Sequence, residues 1–147
     1  MIQQLIDCYF QAGYRFVNEE GGIILGERIG NEITVTSLIR MKNEHTKYFK
    51  FFAKRGFLKI LVWLFFKTKN KVQYIGDWHF HVSDNAKPSA EDIITMKKKT
   101  MIFRNNMLLL IIAQNITATI TQFNYERRWR GYNHMIAYDT IQVRELL

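Results

Sequence analysis

The chain has 147 residues, 48% apolar and 14% aromatic, with one proline and eight glycines, a composition that suits one domain spanning 1–147 and excludes disordered, collagen-like and multidomain organisation. A chain of this size buries roughly two thirds of its surface on folding, so neither a disulfide nor a structural metal is needed to hold it together. Lysine and arginine number 21 against 13 acids, a net charge of +8, which brings nucleic acid, an anionic membrane or an acidic protein into question as partners.

Taken in chain order, residues 1–12 place apolar side chains at helical spacing, with Gly13 as a stop. Cys8 lies beside that stripe; as the single cysteine it forms no internal disulfide, which suits a reducing, cytoplasmic setting, and a small buried thiol is its expected role. Gly21–Gly26 and the β-branched run Ile33–Ile39 read as two antiparallel strands joined near Gly30 and Asn31. Lys47–Phe52 is a further strand candidate, and Phe57, Ile60, Leu61 and Leu64 mark one face of a helix ending near Asn70. Val72–Phe80 reads as a strand, Ser89–Lys99 as a helix and Met107–Ala113 as a wholly apolar strand suited to the middle of a sheet. Ile116–Phe123 follows across a tight turn at Gln114 and Asn115, and Tyr132–Val143 supplies a last strand. This mixed order predicts an α/β or α+β sandwich, with helices packed on a curved sheet.

The N-terminus carries neither a basic region nor a long apolar stretch, and the greasiest run, Phe57–Phe66, is interrupted by Lys59, well short of the ~20 apolar residues of a membrane span. The expectation is a soluble cytoplasmic protein without membrane contact. The excess charge is concentrated: residues 40–71 hold ten basic residues against one acid, Glu44. Aromatics interleaved there (Tyr48, Phe49, Phe51, Phe52, Phe57) would suit base stacking. Their periodicity assigns them instead to a core, with the lysines on a solvated face able to attract an acidic protein, and no nucleic acid is expected.

The chemistry concentrates in Tyr74-Ile75-Gly76-Asp77-Trp78-His79-Phe80-His81, followed after seven residues by Ser89 and then by Asp92. Alternate residues of a strand share a face, so His79 and His81 can aim at one point. Ser89 is placed to cap the following helix, and Asp92 in its first turn can swing back to the strand end. Two imidazoles and a carboxylate form a three-ligand set for Zn²⁺ that leaves a fourth tetrahedral position for water. A general base could come from Glu19 or Glu20, just before the glycine-bounded strand. Each fragment has an ordinary explanation, since His-x-His arises by chance and Ser-x-x-Asp is a common cap; their combination has few accidental routes. Trp78 beside the histidines could line a groove, although core packing is its expected role; Glu27 and Asp77 are expected to be structural, and His45 and His134 have no partner at ligand spacing.

The pattern of an upstream Glu, His-x-His, seven residues and Ser-x-x-Asp resembles the JAB/MPN (JAMM) domain metalloproteases, and Glu19-Glu20-Gly21-Gly22-Ile23-Ile24-Leu25-Gly26 looks like that family's Glu-x-Gly-Gly opening. The resemblance implies a single-domain α/β fold, an α-β-α sandwich with a curved mixed, largely antiparallel sheet flanked by helices. It implies that His79, His81 and Asp92 hold Zn²⁺, that Glu19 is the catalytic base and that Ser89 stabilises the tetrahedral oxyanion. The implied activity is hydrolysis of a peptide or isopeptide bond at the tail of a ubiquitin-like protein. Tyr-Ile-Gly-Asp-Trp-His most resembles small bacterial members, including those of cyclic-nucleotide-based antiphage (CBASS) systems, where the substrate is a conjugated nucleotidyltransferase. Processing of a sulfur-carrier precursor and a metal-free scaffold are the alternatives within the family. Two positions depart from the pattern. Phe80 stands where Ser or Thr is usual, and Val82 replaces a common proline, which removes a restraint from the loop over residues 82–88.

Overall fold

The glycine-bounded apolar run and the β-branched run after it pair as a hairpin in the computed structural model, which describes residues 20–30, 32–41, 71–115, 117–125 and 137–143. Strand β1 (Gly21–Ile29) and strand β2 (Glu32–Met41) are antiparallel, with Ile29 opposite Glu32. Gly30 has φ of 60° in the turn between them, a left-handed conformation that glycine adopts without a Cβ penalty. On its other side β1 pairs antiparallel with β3 (Gln73–Phe80).

Strand β3 then runs parallel to β4 (Met107–Ile112), and parallel neighbours need a crossover rather than a tight turn. Helix α1 (Ala90–Phe103) lies within that crossover. Strands β5 (Ala118–Asn124) and β6 (Ala137–Val143) add in antiparallel order. The result is a six-stranded sheet ordered β2-β1-β3-β4-β5-β6, mixed and largely antiparallel, and the α/β class expected from the sequence holds. Helix α1 runs four residues past the expected end at Lys99, because nothing in Thr100–Phe103 breaks a helix and the chain leaves it only at Arg104, with φ of 51°. The expected helices over residues 1–12 and 57–70 and the strand over 47–52 lie outside the described residues, as do Cys8, His45, His134 and most of the basic stretch.

Both faces of the sheet are apolar, which is why all six residues of β4 are buried. Ile23, Leu25, Tyr74, Met107, Leu109, Ile111 and Phe123 form one cluster with Met96 of α1. Ile24, Ile75, Trp78, Phe80, Leu108, Leu110 and Ile112 form the other. An irregularity in the β1–β3 pairing sets Ile24 opposite Gly76 but Leu25 opposite Tyr74. The extra residue, Ile75, lets Tyr74 join Asp77 and His79 on the α1 side. Trp78 and Phe80 fall on the far side, fully buried and edge to face at 5.7 Å, and Trp78 Nε1 donates to the Ile39 carbonyl. The tryptophan is therefore core, and the large residue between the histidines fits because it faces away from them. Among the described residues, no helix is long and apolar enough to cross a membrane.

Candidate metal centre

The site forms where β3 ends and the chain turns toward α1. His79 closes the α1 face of β3 directly opposite Gly21. A Cβ on Gly21 would come within 2.6 Å of the Trp78 carbonyl and 2.8 Å of His79 Cβ, so the absent side chain makes room for the imidazole. His81 follows just beyond the strand, its N–H donating to the Ile112 carbonyl at 2.9 Å.

The histidine rings converge, with Nε2 to Nε2 at 3.0 Å. Asp92 approaches from the first turn of α1, its Oδ1 3.5 Å from His79 Nε2 and its Oδ2 3.7 Å from His81 Nε2. Four ligands held tetrahedrally at the 2.0–2.1 Å typical of zinc stand about 3.3 Å from one another, and the Nε2–Nε2 and His79 Nε2–Asp92 Oδ1 separations, 3.0 and 3.5 Å, lie on either side of that figure. These donors form a cluster, all within 4.8 Å of one another, compatible with one metal ion. His81 Nδ1 lies 2.8 Å from the Asn85 carbonyl. A carbonyl only accepts, so Nδ1 carries a proton and Nε2 is the ring nitrogen turned toward the other two donors.

Asp92 is held by a capping box. Ser89 is the N-cap: its Oγ accepts from the Asp92 N–H at 3.1 Å, while the Ser89 N–H and hydroxyl both donate to Asp92 Oδ2, at 2.7 and 2.6 Å. Two donors on one carboxylate oxygen fix the rotamer and leave Oδ1 for another partner. Burial alone would raise the Asp92 carboxyl; hydrogen bonds to His79 and His81, the charge of His79 and the Ser89 hydroxyl outweigh it and hold the group well below the usual carboxylate range.

The loop over residues 82–88 is restrained without the expected proline. Gln114 N–H donates to the Ser83 carbonyl at 3.0 Å, Asn115 Nδ2 to the Asp84 carbonyl at 3.3 Å, and the Thr119 hydroxyl to the Ala86 carbonyl. The turn between β4 and β5 thus anchors the segment that orients His81. Spacing arguments missed this role because the acceptors are backbone carbonyls, which leave no trace in residue identity.

Glu20 and Glu19 part company here. The Glu20 carbonyl accepts the Phe80 N–H at 2.7 Å, and its carboxylate receives Arg40 at 2.7 Å. Glu19 lies outside the described residues. Asp77, expected to be structural, pairs with Lys99 of α1 and accepts the Tyr74 hydroxyl at 2.6 Å. Lys99 carried no signal of its own beyond standing seven residues after Asp92, on the same helical face.

A family profile for prokaryotic homologs of the JAB domain matches residues 8–131. A curated relative, the CD-NTase/cGAS isopeptidase of Enterobacter hormaechei subsp. hoffmannii (strain UCI 50), is 30% identical over 98 residues, covering 65% of this chain. The chain spans about half of that relative's length, 52%. Among solved structures, a solution structure of a Desulfitobacterium hafniense protein has a TM-score of 0.42 at 21% identity, covering 85% of this chain and 82% of that one.

Proposed function

The chain belongs to the prokaryotic homologs of the JAB domain, and from that premise we propose that it is a zinc-dependent hydrolase of peptide or isopeptide bonds, with His79, His81 and Asp92 as the metal ligands. The observation that carries the reading is the convergence of those three donors at the end of β3. Zinc bound there would supply a Lewis acid that lowers the pKa of water to near neutrality and polarises the scissile carbonyl.

The chain's own residues do the rest. Glu19 is the proposed base. The assignment follows from the likeness of Glu19-Glu20-Gly21-Gly22 to the family's Glu-x-Gly-Gly opening, while Glu20 receives Arg40 at one carboxylate oxygen. Glu19 takes a proton from the attacking water as its oxygen bonds to the carbonyl carbon, and delivers a proton to the amine as the C–N bond breaks. The Ser89 hydroxyl, which donates its one proton to Asp92 Oδ2 in the resting site, would turn that proton to the developing oxyanion.

The substrate we infer is a protein conjugate, the tail of a ubiquitin-like protein or of a nucleotidyltransferase joined to a target amine. The isopeptidase activity for which the Enterobacter relative is named supports the second of these and, with it, a place in antiphage defence.

The test incubates the full chain, with one equivalent of zinc, with two purified probes: a nucleotidyltransferase joined through its C-terminus to a lysine side chain, and a ubiquitin-like protein joined likewise. Release of the tail-bearing protein, abolished by chelation and restored by zinc, is the expected result. A folded, zinc-loaded chain that leaves both conjugates intact would overturn the proposal.

A further inference from the structure

Asp77 and Lys99 are 6% and 4% exposed, and their ion pair lies between β3 and α1. The Tyr74 hydroxyl occupies the other Asp77 oxygen, and Lys99 Nζ stands 5.9 Å from the centre of the Tyr74 ring. A buried ion pair is a poor source of stability, because apolar residues of similar volume usually serve as well. What it supplies is direction, since the charges must meet at one place.

Helix α1 has use for that direction. Its buried residues are Met96, Lys99 and Thr100, and the Thr100 hydroxyl turns back to the Met96 carbonyl of its own helix. Ile94, Met101 and Ile102 are exposed. Met96 is the one fully buried apolar side chain of α1 among the described residues, and methionine packing specifies position weakly; the half-buried Ile93 packs on the same cluster and Phe103 meets the Tyr74 ring at 5.1 Å, contacts at the margin of the core.

Asp92 and Lys99 are two turns apart on one helical face, about 10 Å along the axis, while Asp77 and His79 are neighbours on one strand face. The helix and the strand are thus joined twice: at one end by Asp92 with His79, and further along by Lys99 with Asp77.

Resting on the metal reading above, we propose that the Asp77–Lys99 pair is a positioning device that sets α1 in register against β3 and so places the Asp92 carboxylate for the ion it shares with the two histidines. Its value lies in preorganisation, because ligands held within a few tenths of an ångström bind without rearrangement.

The test is the full-length double variant Asp77→Asn/Lys99→Met, which removes both charges together and retains an acceptor for Tyr74. Zinc affinity is read by competition with a chromophoric chelator, and folding by thermal unfolding of the metal-free protein. The expected result is a metal-free melting temperature near that of the wild type with zinc affinity lowered about tenfold or more. A folded double variant binding zinc within twofold of the wild type would overturn the inference. So would a double variant that fails to fold, which would make the pair a requirement of the fold instead. Failure of the wild type itself to bind zinc would overturn the metal reading and the inference with it, and is seen before any variant is made.

Discussion

Replacing Gly21 with alanine tests the idea that the site begins with an absence. The new Cβ would lie 2.6 Å from the Trp78 carbonyl oxygen and 2.8 Å from His79 Cβ, where ordinary contact begins at 3.4 Å. The neighbours must retreat by the differences, about 0.8 and 0.6 Å, and neither is the tip of a flexible chain: one is backbone in the middle of a paired strand, and the other is the first carbon of a ligand. Overpacking of this kind destabilises a protein by about 1–3 kcal/mol. The functional effect is sharper, because metal–ligand distances hold to about 0.2 Å and a shift of half an ångström at His79 Cβ is passed on to the ring. Gly21→Ala is therefore expected to lower zinc affinity by at least tenfold, measured by chelator competition, while circular dichroism still reports a folded chain. A folded Gly21→Ala variant with wild-type zinc affinity would refute the reasoning, since the imidazole would then have another way to reach the ion.

Three further outcomes are expected. Glu19→Gln should lower the cleavage rate by about 10²–10⁴-fold with zinc content unchanged by elemental analysis; loss of the metal in that variant would instead make Glu19 a ligand. Ser89→Ala removes the cap of α1 and a hydrogen bond to Asp92, and should destabilise the metal-free protein by about 1–2 kcal/mol in urea unfolding, with a wild-type midpoint counting against the capping box. Burial first, then the charge and hydrogen bond of Asp77, push the Tyr74 phenol well above its ordinary value of 10.0. The folded chain thus keeps a proton that the unfolded chain releases, so this contribution is intact below pH 10 and fades as pH rises toward the folded value. Tyr74→Phe should flatten the fall of stability between pH 9 and 11, and an unchanged slope would show that the phenol does not report it.

Residue order alone determined the candidate ligand set, because the two distances that matter within each fragment are local. Alternation along a strand puts His79 and His81 on one side of the chain whatever surrounds them, and the step from Ser89 to Asp92 is one helical turn, within which a hydroxyl and a carboxylate reach each other's backbone. The hairpin at Gly30 and the buried β4 were legible for similar reasons: a two-residue connection and an uninterrupted apolar run constrain their own geometry. Helix α1 was placed at its start, where a cap marks it, and missed at its end, where no breaker stands before Arg104.

Tertiary structure decided whatever depends on elements meeting across the sheet. No spacing rule could show that Gly21 faces His79, that the turn after β4 steadies the loop behind His81 in place of a proline, or that Lys99 reaches across from α1 to Asp77. Each of these joins residues more than twenty positions apart, and such pairs are chosen by strand register and helix placement. A single irregularity in the β1–β3 pairing, at Ile75, turns Tyr74 toward Asp77, and a shift of one residue in a strand exchanges its two faces. The chemistry was written in short fragments, whereas the contacts that hold those fragments at bonding distance exist only once the register is set.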